Sequence, residues 1–294
     1  MNYQFREENL GTLFEDYGKI KIKSCIVCNN KDFEFWAKSG PYEAFKCGDC
    51  GLIFMSPQLN EEGLTEYYTN YIGKRRLSNE KKMQLRTIQY TLDAELIKKF
   101  IRKGKVLDVG CNGGFFLDAM GDGFQRYGTE LDSQAIGYAK ANFPSFSNNL
   151  KNGTLHSAQF EDEYFDLVMM RGVIEHVSNP EESIKEISRI LKKGGYYFIC
   201  ATPNGQSLLA DLYREDWTLF HPVQHIWHFS PENLSKLCQP YGLKLYWKEF
   251  PYLGTPYENV KKNIEEIANF ITRKNKAISP PFYENMMSLV FKKD

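Results

Sequence analysis

The stretch Lys105-Val106-Leu107-Asp108-Val109-Gly110-Cys111-Asn112-Gly113-Gly114-Phe115-Phe116-Leu117 constrains this chain more than any other. A short apolar run with β-branched residues closes on a glycine-dense turn and passes into an apolar run with helical potential, which spells strand, tight loop, helix. Glycine has no Cβ, so such a loop lets backbone N–H groups approach a ligand closely at a helix N-terminus. It reads as a cofactor cradle. A dinucleotide fingerprint needs G-x-G-x-x-G, but counting from Gly110 puts Asn112 and Phe115 at the second and third glycine positions. A P-loop needs a Lys-Ser or Lys-Thr that is missing here. An acidic residue about 20 positions downstream, ending the second strand, marks a ribose-bearing cofactor. Glu130 supplies it in Gln125 to Asp132, with Asp132 as the near alternative. The bland reading of Glu130 is a solvated loop carboxylate.

Lys plus Arg and Asp plus Glu both number 37, so no excess positive charge drives binding to nucleic acid. A length of 294 residues with 42% apolar content suits one large domain and a small one. Met1 to Glu8 lacks the layout of a signal peptide, and no apolar run approaches the ~20 residues that span a bilayer. A cytoplasmic protein is expected. Four of its seven cysteines then read as metal ligands rather than as disulfides. Cys25 and Cys28, then eighteen residues, then Cys47 and Cys50 match the spacing of a closed tetrahedral Zn²⁺ site. Phe33, Phe35, Trp36, Tyr42 and Phe45 would give the hairpins apolar cover, as in a zinc ribbon. Four ordinary reduced cysteines are the plain alternative, and neither pair precedes a helix as a redox C-x-x-C would. A closed site leaves no open position for catalysis, so the ribbon would be a scaffold, a substrate wall or a dimer contact.

The central stretch resembles motif I of the class I S-adenosylmethionine-dependent methyltransferases, D/E-x-G-x-G-x-G, with Asn112 in place of the middle glycine. Asn is among the residues that best tolerate positive φ. Phe165 to Pro180 is similar to the same family's F-D-x-[VI] … x-x-E-H-[VIL]-x-x-P. A ribbon ending Cys50-Gly51-Leu52-Ile53-Phe54, then Pro57 and the Tyr-rich helix Leu64 to Tyr71, resembles a bacterial subgroup associated with sugar or surface-glycan biosynthesis. The resemblance implies an α/β fold: a doubly wound, mostly parallel, seven-stranded Rossmann-like sheet with a small N-terminal zinc ribbon. Residues 20–60 would form the ribbon, 61–104 a helical connection, and 105–294 the methyltransferase domain with insertions at 205–232 and 254–284. It implies S-adenosylmethionine as cofactor, held by Asp108, Gly110, Asn112, Gly113, Gly114 and Phe115 in the loop. Glu130 and Leu131 would take the ribose, Thr154 and Leu155 the adenine, and Arg171 and Gly172 would flank the sulfonium.

Apolar positions Leu85, Ile88, Leu92, Leu96, Ile97 and Phe100 recur every three or four residues, which predicts an amphipathic helix from 83 to 101 ending near Gly104. Residues 74–80 are polar and read as a connection. Ser133 is a candidate N-cap. Asn179 followed by Pro180 and Glu182 predicts another helix start, with Lys192 to Gly195 as its end. Strands are expected at 165–170, 196–201, 243–247 and 287–291. A helix in 257–277 would be a substrate-side cover or an oligomer contact, in a homodimer for example.

Methyl transfer to a hydroxyl needs alignment and a base. His225 is the first candidate and His221 the second, because imidazole titrates near neutral pH. His176, beside Glu175, is a third candidate, with local hydrogen bonding as its plainer role. A second metal site among the histidines is the weaker reading. Trp and Phe residues between 216 and 230 suit stacking on a sugar ring. The expected reaction is methylation of a small molecule: a sugar, nucleotide-sugar or glycan precursor, with no nucleic acid and no membrane span. A quinone or lipid-precursor methyltransferase is the alternative, as is a ribbon-mediated binding module acting on a macromolecular partner.

Overall fold

Short strands near the N-terminus, β1 (Phe33–Ser39), β2 (Tyr42–Cys47) and β3 (Ile53–Met55), pair antiparallel in that order. They belong to a computed structural model that describes residues 20–40, 42–71, 80–273 and 277–294. The polar connection expected at 74–80 lies outside the described residues, apart from the start of the next helix. Helices α1 (Glu61–Tyr71) and α2 (Glu80–Ile97) then lead to β4 (Gly104–Val109), α3 (Phe115–Met120), β5 (Phe124–Glu130), α4 (Ser133–Asn142) and β6 (Leu150–Asn152). Next come β7 (Phe165–Arg171), α5 (Pro180–Ile190), β8 (Leu191–Pro203), α6 (Leu208–Tyr213), β9 (Trp227–His228) and α7 (Pro231–Cys238). Strand β10 (Leu243–Glu249), helix α8 (Val260–Arg273) and strand β11 (Met286–Lys293) complete the order.

The large sheet has seven strands in the order β10-β11-β8-β7-β4-β5-β6, and β11 alone runs against its neighbours. The α/β fold is therefore the doubly wound, mostly parallel sheet that the strand–helix alternation predicts. Its central strands are buried on both faces: Leu107 and Val106 in β4, and Leu167, Val168 and Met169 in β7, are nearly inaccessible. Chain direction across the sheet diverges at β4, which pairs β5 on one side and β7 on the other. A crevice forms at such a switch point, beyond the carboxyl ends of the strands.

Several local expectations shift. Helix α5 starts as its sequence dictates, with Asn179 Oδ1 accepting the Glu182 N–H at 3.2 Å and Pro180 in the first turn. It ends at Ile190, however, and Leu191 already opens β8, so Lys192 to Gly195 belong to the strand. Lys192 Nζ instead reaches Asp166 Oδ1 at 2.8 Å. Asp132, not Ser133, caps α4, accepting the Gln134 and Ala135 N–H groups. In α2 the apolar stripe is misplaced, since Ile88 and Leu92 are exposed while Asp93 and Ala94 turn inward. An ion pair described below draws that face to the core.

The ribbon is not a separate module. Strand β3 pairs antiparallel with β9, which lies in the 205–232 insertion, so the small sheet takes its fourth strand from the other domain. Cys50 O accepts from Gln206 Nε2 (2.9 Å) and Asn233 Nδ2 (3.0 Å). Trp36 packs edge-on against Trp217 and Phe220, and Phe54 meets Trp227. Trp36 and Tyr42 are thus buried as expected, whereas Phe35 is exposed. Trp217, Phe220, Trp227 and Phe229 are also buried, so these rings form the ribbon–sheet interface and are not available to stack on a sugar.

Trp227 is 2% exposed and donates its indole N–H to Val177 O at 2.9 Å. Trp227→Ala should therefore destabilise the protein by about 3–5 kcal/mol in denaturant titration. Ribbon and sheet should unfold together, so a separate, earlier ribbon transition would contradict the shared interface.

Candidate active site

Val109 lies opposite Thr129 in the β4–β5 ladder, so the loop leaving β4 opens beside the end of β5. Gly110 bends at φ 76°, and a Cβ there would stand 2.8 Å from Val173 Cγ2, which reserves the position for glycine. Asn112 adopts φ 48°, the left-handed conformation that its side chain tolerates. Its N–H donates to Glu130 Oε2 at 2.8 Å, and the Asp132 N–H donates to Glu130 Oε1 at 3.0 Å. Glu130 therefore braces the loop, and each of its oxygens keeps a further acceptor position. Asp132 is spent on its helix cap and does not serve as the alternative.

One cavity of about 670 Å³ spans the crevice, and Asp108, Gly110, Asn112, Phe115 and Glu130 line it. Leu131, Thr154, Leu155, Arg171 and Gly172 line it too. Gly113 and Gly114 of the expected set are not among the lining residues. Gly113 lies beneath Phe115, whose ring a Cβ would approach to 2.7 Å, and Gly114 caps α3 at φ 81°. Asp108 is 2% exposed, and its Oδ1 has no hydrogen-bond partner among the described residues. Burial pushes its pKa up to about 8, against the pull of Arg171 and with a push from Glu130.

Arg171 Nε donates to Asp93 Oδ2 at 2.8 Å, and its guanidinium lies 4.5 Å from the centroid of the Tyr90 ring. Burial raises the Asp93 pKa despite this partner; burial also opposes the charge on Arg171, but Asp93 holds its pKa above the usual value. The pair fastens α2 over the cavity, where Arg86 and Tyr90 add to the wall. Sequence pattern alone missed Asp93 and Tyr90; an acid on the inward face of an amphipathic helix was the available signal.

Leu64, Tyr68, Val173, His176 and Val177 also line the cavity, with Val173 packed against Gly110. Tyr68 faces the cavity, while its neighbour Tyr67 is buried. The His176 Nδ1–H points at Gln224 O (2.6 Å) and Tyr68 Oη (2.7 Å), which fixes the ring. Glu175 is 1% exposed, with its Oε2 accepting from Thr202 Oγ1 at 3.1 Å and its Oε1 3.9 Å from His176 Nε2. Burial pushes its pKa up to about 8, opposed by hydrogen bonds and by Arg171.

His225 and His221 do not line this cavity. The His225 ring stands behind His176, with centroids 4.9 Å apart, and its Nδ1–H donates to Leu219 O at 2.7 Å. Burial, helped by His176, His221 and His228, drives its pKa well below the ordinary value, and burial lowers His221 as well. The order of candidate bases is therefore reversed: His176 alone of the three meets the cavity. Proximity in sequence to the fifth strand suggested His225, whereas the fold buries that loop under the ribbon. Helix α8 contributes none of the described residues that line this cavity and stacks Phe270 on Tyr213 at 3.9 Å.

The Cys25 and Cys50 sulfurs are 3.5 Å apart, as are those of Cys28 and Cys47. All four lie within 4.8 Å of one another. Disulfides need about 2.05 Å. Four thiolates on a tetrahedral ion with 2.3 Å bonds lie roughly 3.8 Å apart. Asn29 (φ 61°) and Gly51 (φ 69°) turn the chain after each pair, and Val27 N–H donates to Cys25 Sγ at 3.4 Å.

Residues 80–247 match the family described as a methyltransferase domain. The chain belongs to this methyltransferase family. Among its relatives, a ubiquinone biosynthesis O-methyltransferase of Azoarcus sp. (strain BH72) is 28% identical over 48% of this chain and 64% of its own length. A protein of the same description from Idiomarina loihiensis is 32% identical, over 48% and 61%. The chain thus spans less than two thirds of these curated relatives. A Haloferax volcanii methyltransferase, solved with its Trm112 activator, superposes with a TM-score of 0.56 over 78% of this chain and 96% of that one, at 15% identity. That likeness concerns the fold. The domain is of the S-adenosylmethionine-dependent class, and the cradle fits that cofactor. Gly110 lets a ligand come close, Glu130 offers acceptor positions for hydroxyls, and the unpartnered Asp108 Oδ1 suits an ammonium group.

The Asp108 carboxyl titrates higher in the folded chain than unfolded, from an ordinary 3.8 to about 8. Its contribution to stability is complete below the unfolded value and is lost as pH climbs to about 8. Asp108→Asn cannot ionise, so its melting temperature relative to the native chain should rise from pH 4 to pH 8 and level off above. A difference independent of pH would show that Asp108 is not the buried, unpaired group described.

Proposed function

We propose that the protein transfers the methyl group of S-adenosylmethionine to a hydroxyl of a small aromatic acceptor of the quinone-precursor class. One observation carries the reading: the Asp108–Glu130 cradle and His176 line the same cavity. When bound, the cofactor supplies a methyl group on a positively charged sulfur. Asp108 would hold its amino group, Glu130 its ribose hydroxyls, and Thr154 and Leu155 its adenine. Arg171 brings a positive charge near that sulfur, which Asp93 offsets. The acceptor would lie between Leu64, Tyr68, Val173 and Val177 and lose its proton at the end where Glu175, His176 and His225 gather.

The acceptor class is supported by what the sequence relatives are called and by the presence of Leu64, Tyr68, Val173 and Val177 in the cavity lining. A sugar acceptor loses one of its supports, because Trp217, Phe220, Trp227 and Phe229 are buried. At Cys25, Cys28, Cys47 and Cys50 we further propose one structural Zn²⁺, held without open positions. Reduced thiolates of this kind agree with a cytoplasmic setting. No helix among the described residues is long and apolar enough to cross a membrane.

Calorimetry with S-adenosylmethionine tests the cofactor half: Glu130→Ala should weaken binding by about 1.5–3 kcal/mol, as for a hydrogen bond to a charged group. Unchanged affinity would remove Glu130 from the site. Mass spectrometry of phenolic and nucleotide-sugar acceptors incubated with the enzyme tests the other half, by the gain of one methylene mass on the phenolic set only. With that acceptor, His176→Ala should lower kcat by about 10²–10⁴ and leave cofactor affinity intact. Methylation of the nucleotide-sugars alone would overturn the acceptor class.

A further inference from the structure

Behind the acceptor end, Glu175, His176 and His225 each offer one ligand atom, and these atoms all lie within 4.8 Å of one another. Two residues are adjacent in the chain and the third comes from the insertion after β8, yet a backbone bond from Ile226 N to Glu175 O (3.0 Å) pins the two segments together. Each side chain is oriented from behind. The Nδ1–H of His225 donates to Leu219 O and that of His176 to Gln224 O, so in both rings Nε2 is the nitrogen with a lone pair to give. Thr202 holds Glu175 by Oε2, which turns Oε1 towards His176 Nε2. Imidazoles held through their second nitrogen by backbone carbonyls, and a carboxylate held through its second oxygen, are the outer bonds that metal ligands carry.

We propose that Glu175, His176 and His225 form a second metal site, for a first-row divalent cation, with its open positions facing the cavity. Two imidazole nitrogens and one carboxylate oxygen suit cations that accept mixed nitrogen and oxygen ligands and do not require thiolates. The site thus differs in chemistry from the four cysteines. Three protein ligands leave coordination positions vacant, the arrangement of a catalytic rather than a closed site. Because His176 lies on the cavity wall, an acceptor hydroxyl can occupy such a position. A cation bound there would make His176 a ligand instead of the base, and would stabilise the oxygen as its proton departs to solvent. Its service to catalysis rests on the methyl-transfer reading; its binding does not.

The test uses the full chain with zinc already bound and no acceptor. Mn²⁺ is titrated and followed by the loss of the aqueous Mn²⁺ resonance in electron paramagnetic resonance. The native chain should take up one Mn²⁺ while keeping its zinc. Glu175→Gln, which preserves shape and the Thr202 contact, and His225→Ala should each weaken uptake at least ~10-fold, with zinc content and S-adenosylmethionine affinity unchanged. Should one variant fail to fold, the other still decides. Absence of Mn²⁺ uptake at millimolar concentration, or equal uptake by a folded variant, overturns the site. Either result leaves the methyl-transfer assays standing on their own, since binding is read without turnover.

Discussion

A single carboxylate holds the cofactor end of this molecule together. Glu130 ends β5, and its two oxygens take the N–H groups of Asn112 and Asp132. The first bond fixes the loop after β4 and the second fixes the turn into α4, so the two walls of the crevice meet at one side chain. Charge-assisted bonds of this type are stronger than neutral ones, and here they hold a loop whose left-handed residue would otherwise be costly. Asn112 can stand where a glycine is usual because its backbone N–H gains an ionised acceptor in that conformation.

How much of this was legible depended on the range of the interactions. The strand–loop–helix at 105–117, the acid at 130, the cap at Asn179 and the paired cysteines are local patterns, and the fold keeps them where spacing put them. The exposed Ile88 and Leu92 show where local pattern fails. Period and hydrophobicity pointed one way, but the ion pair of Asp93 with Arg171, 78 positions apart, decided which side of α2 faces the sheet. The histidines divide for the same reason, with His176 lining the cavity and His221 and His225 outside its lining. No spacing reveals that 221–228 folds beneath a strand pair made with residues 53–54, and burial under that pair is what makes His225 a poor base.

Ionisable groups of this structure are buried in two different ways. Asp93 and Arg171 compensate one another and close a helix over the cavity, so their desolvation is offset within the protein. Asp108 is left without such a partner on Oδ1. An uncompensated carboxyl is a stability deficit in the empty chain and a gain in affinity for a cationic ligand, because the ligand relieves a cost that was already present.

The contact between Tyr68 and His176 joins two parts of the chain with different standing. Residues 80–247 carry the portion shared with the family, and Tyr68 lies before it, on the helix that follows the ribbon. On the proposed function, the residues assigned to the cofactor lie within the shared portion, while those assigned to the acceptor come from both sides of its border. Substrate preference in such a chain can drift through changes in the ribbon and α1 without disturbing the loop that binds the methyl donor.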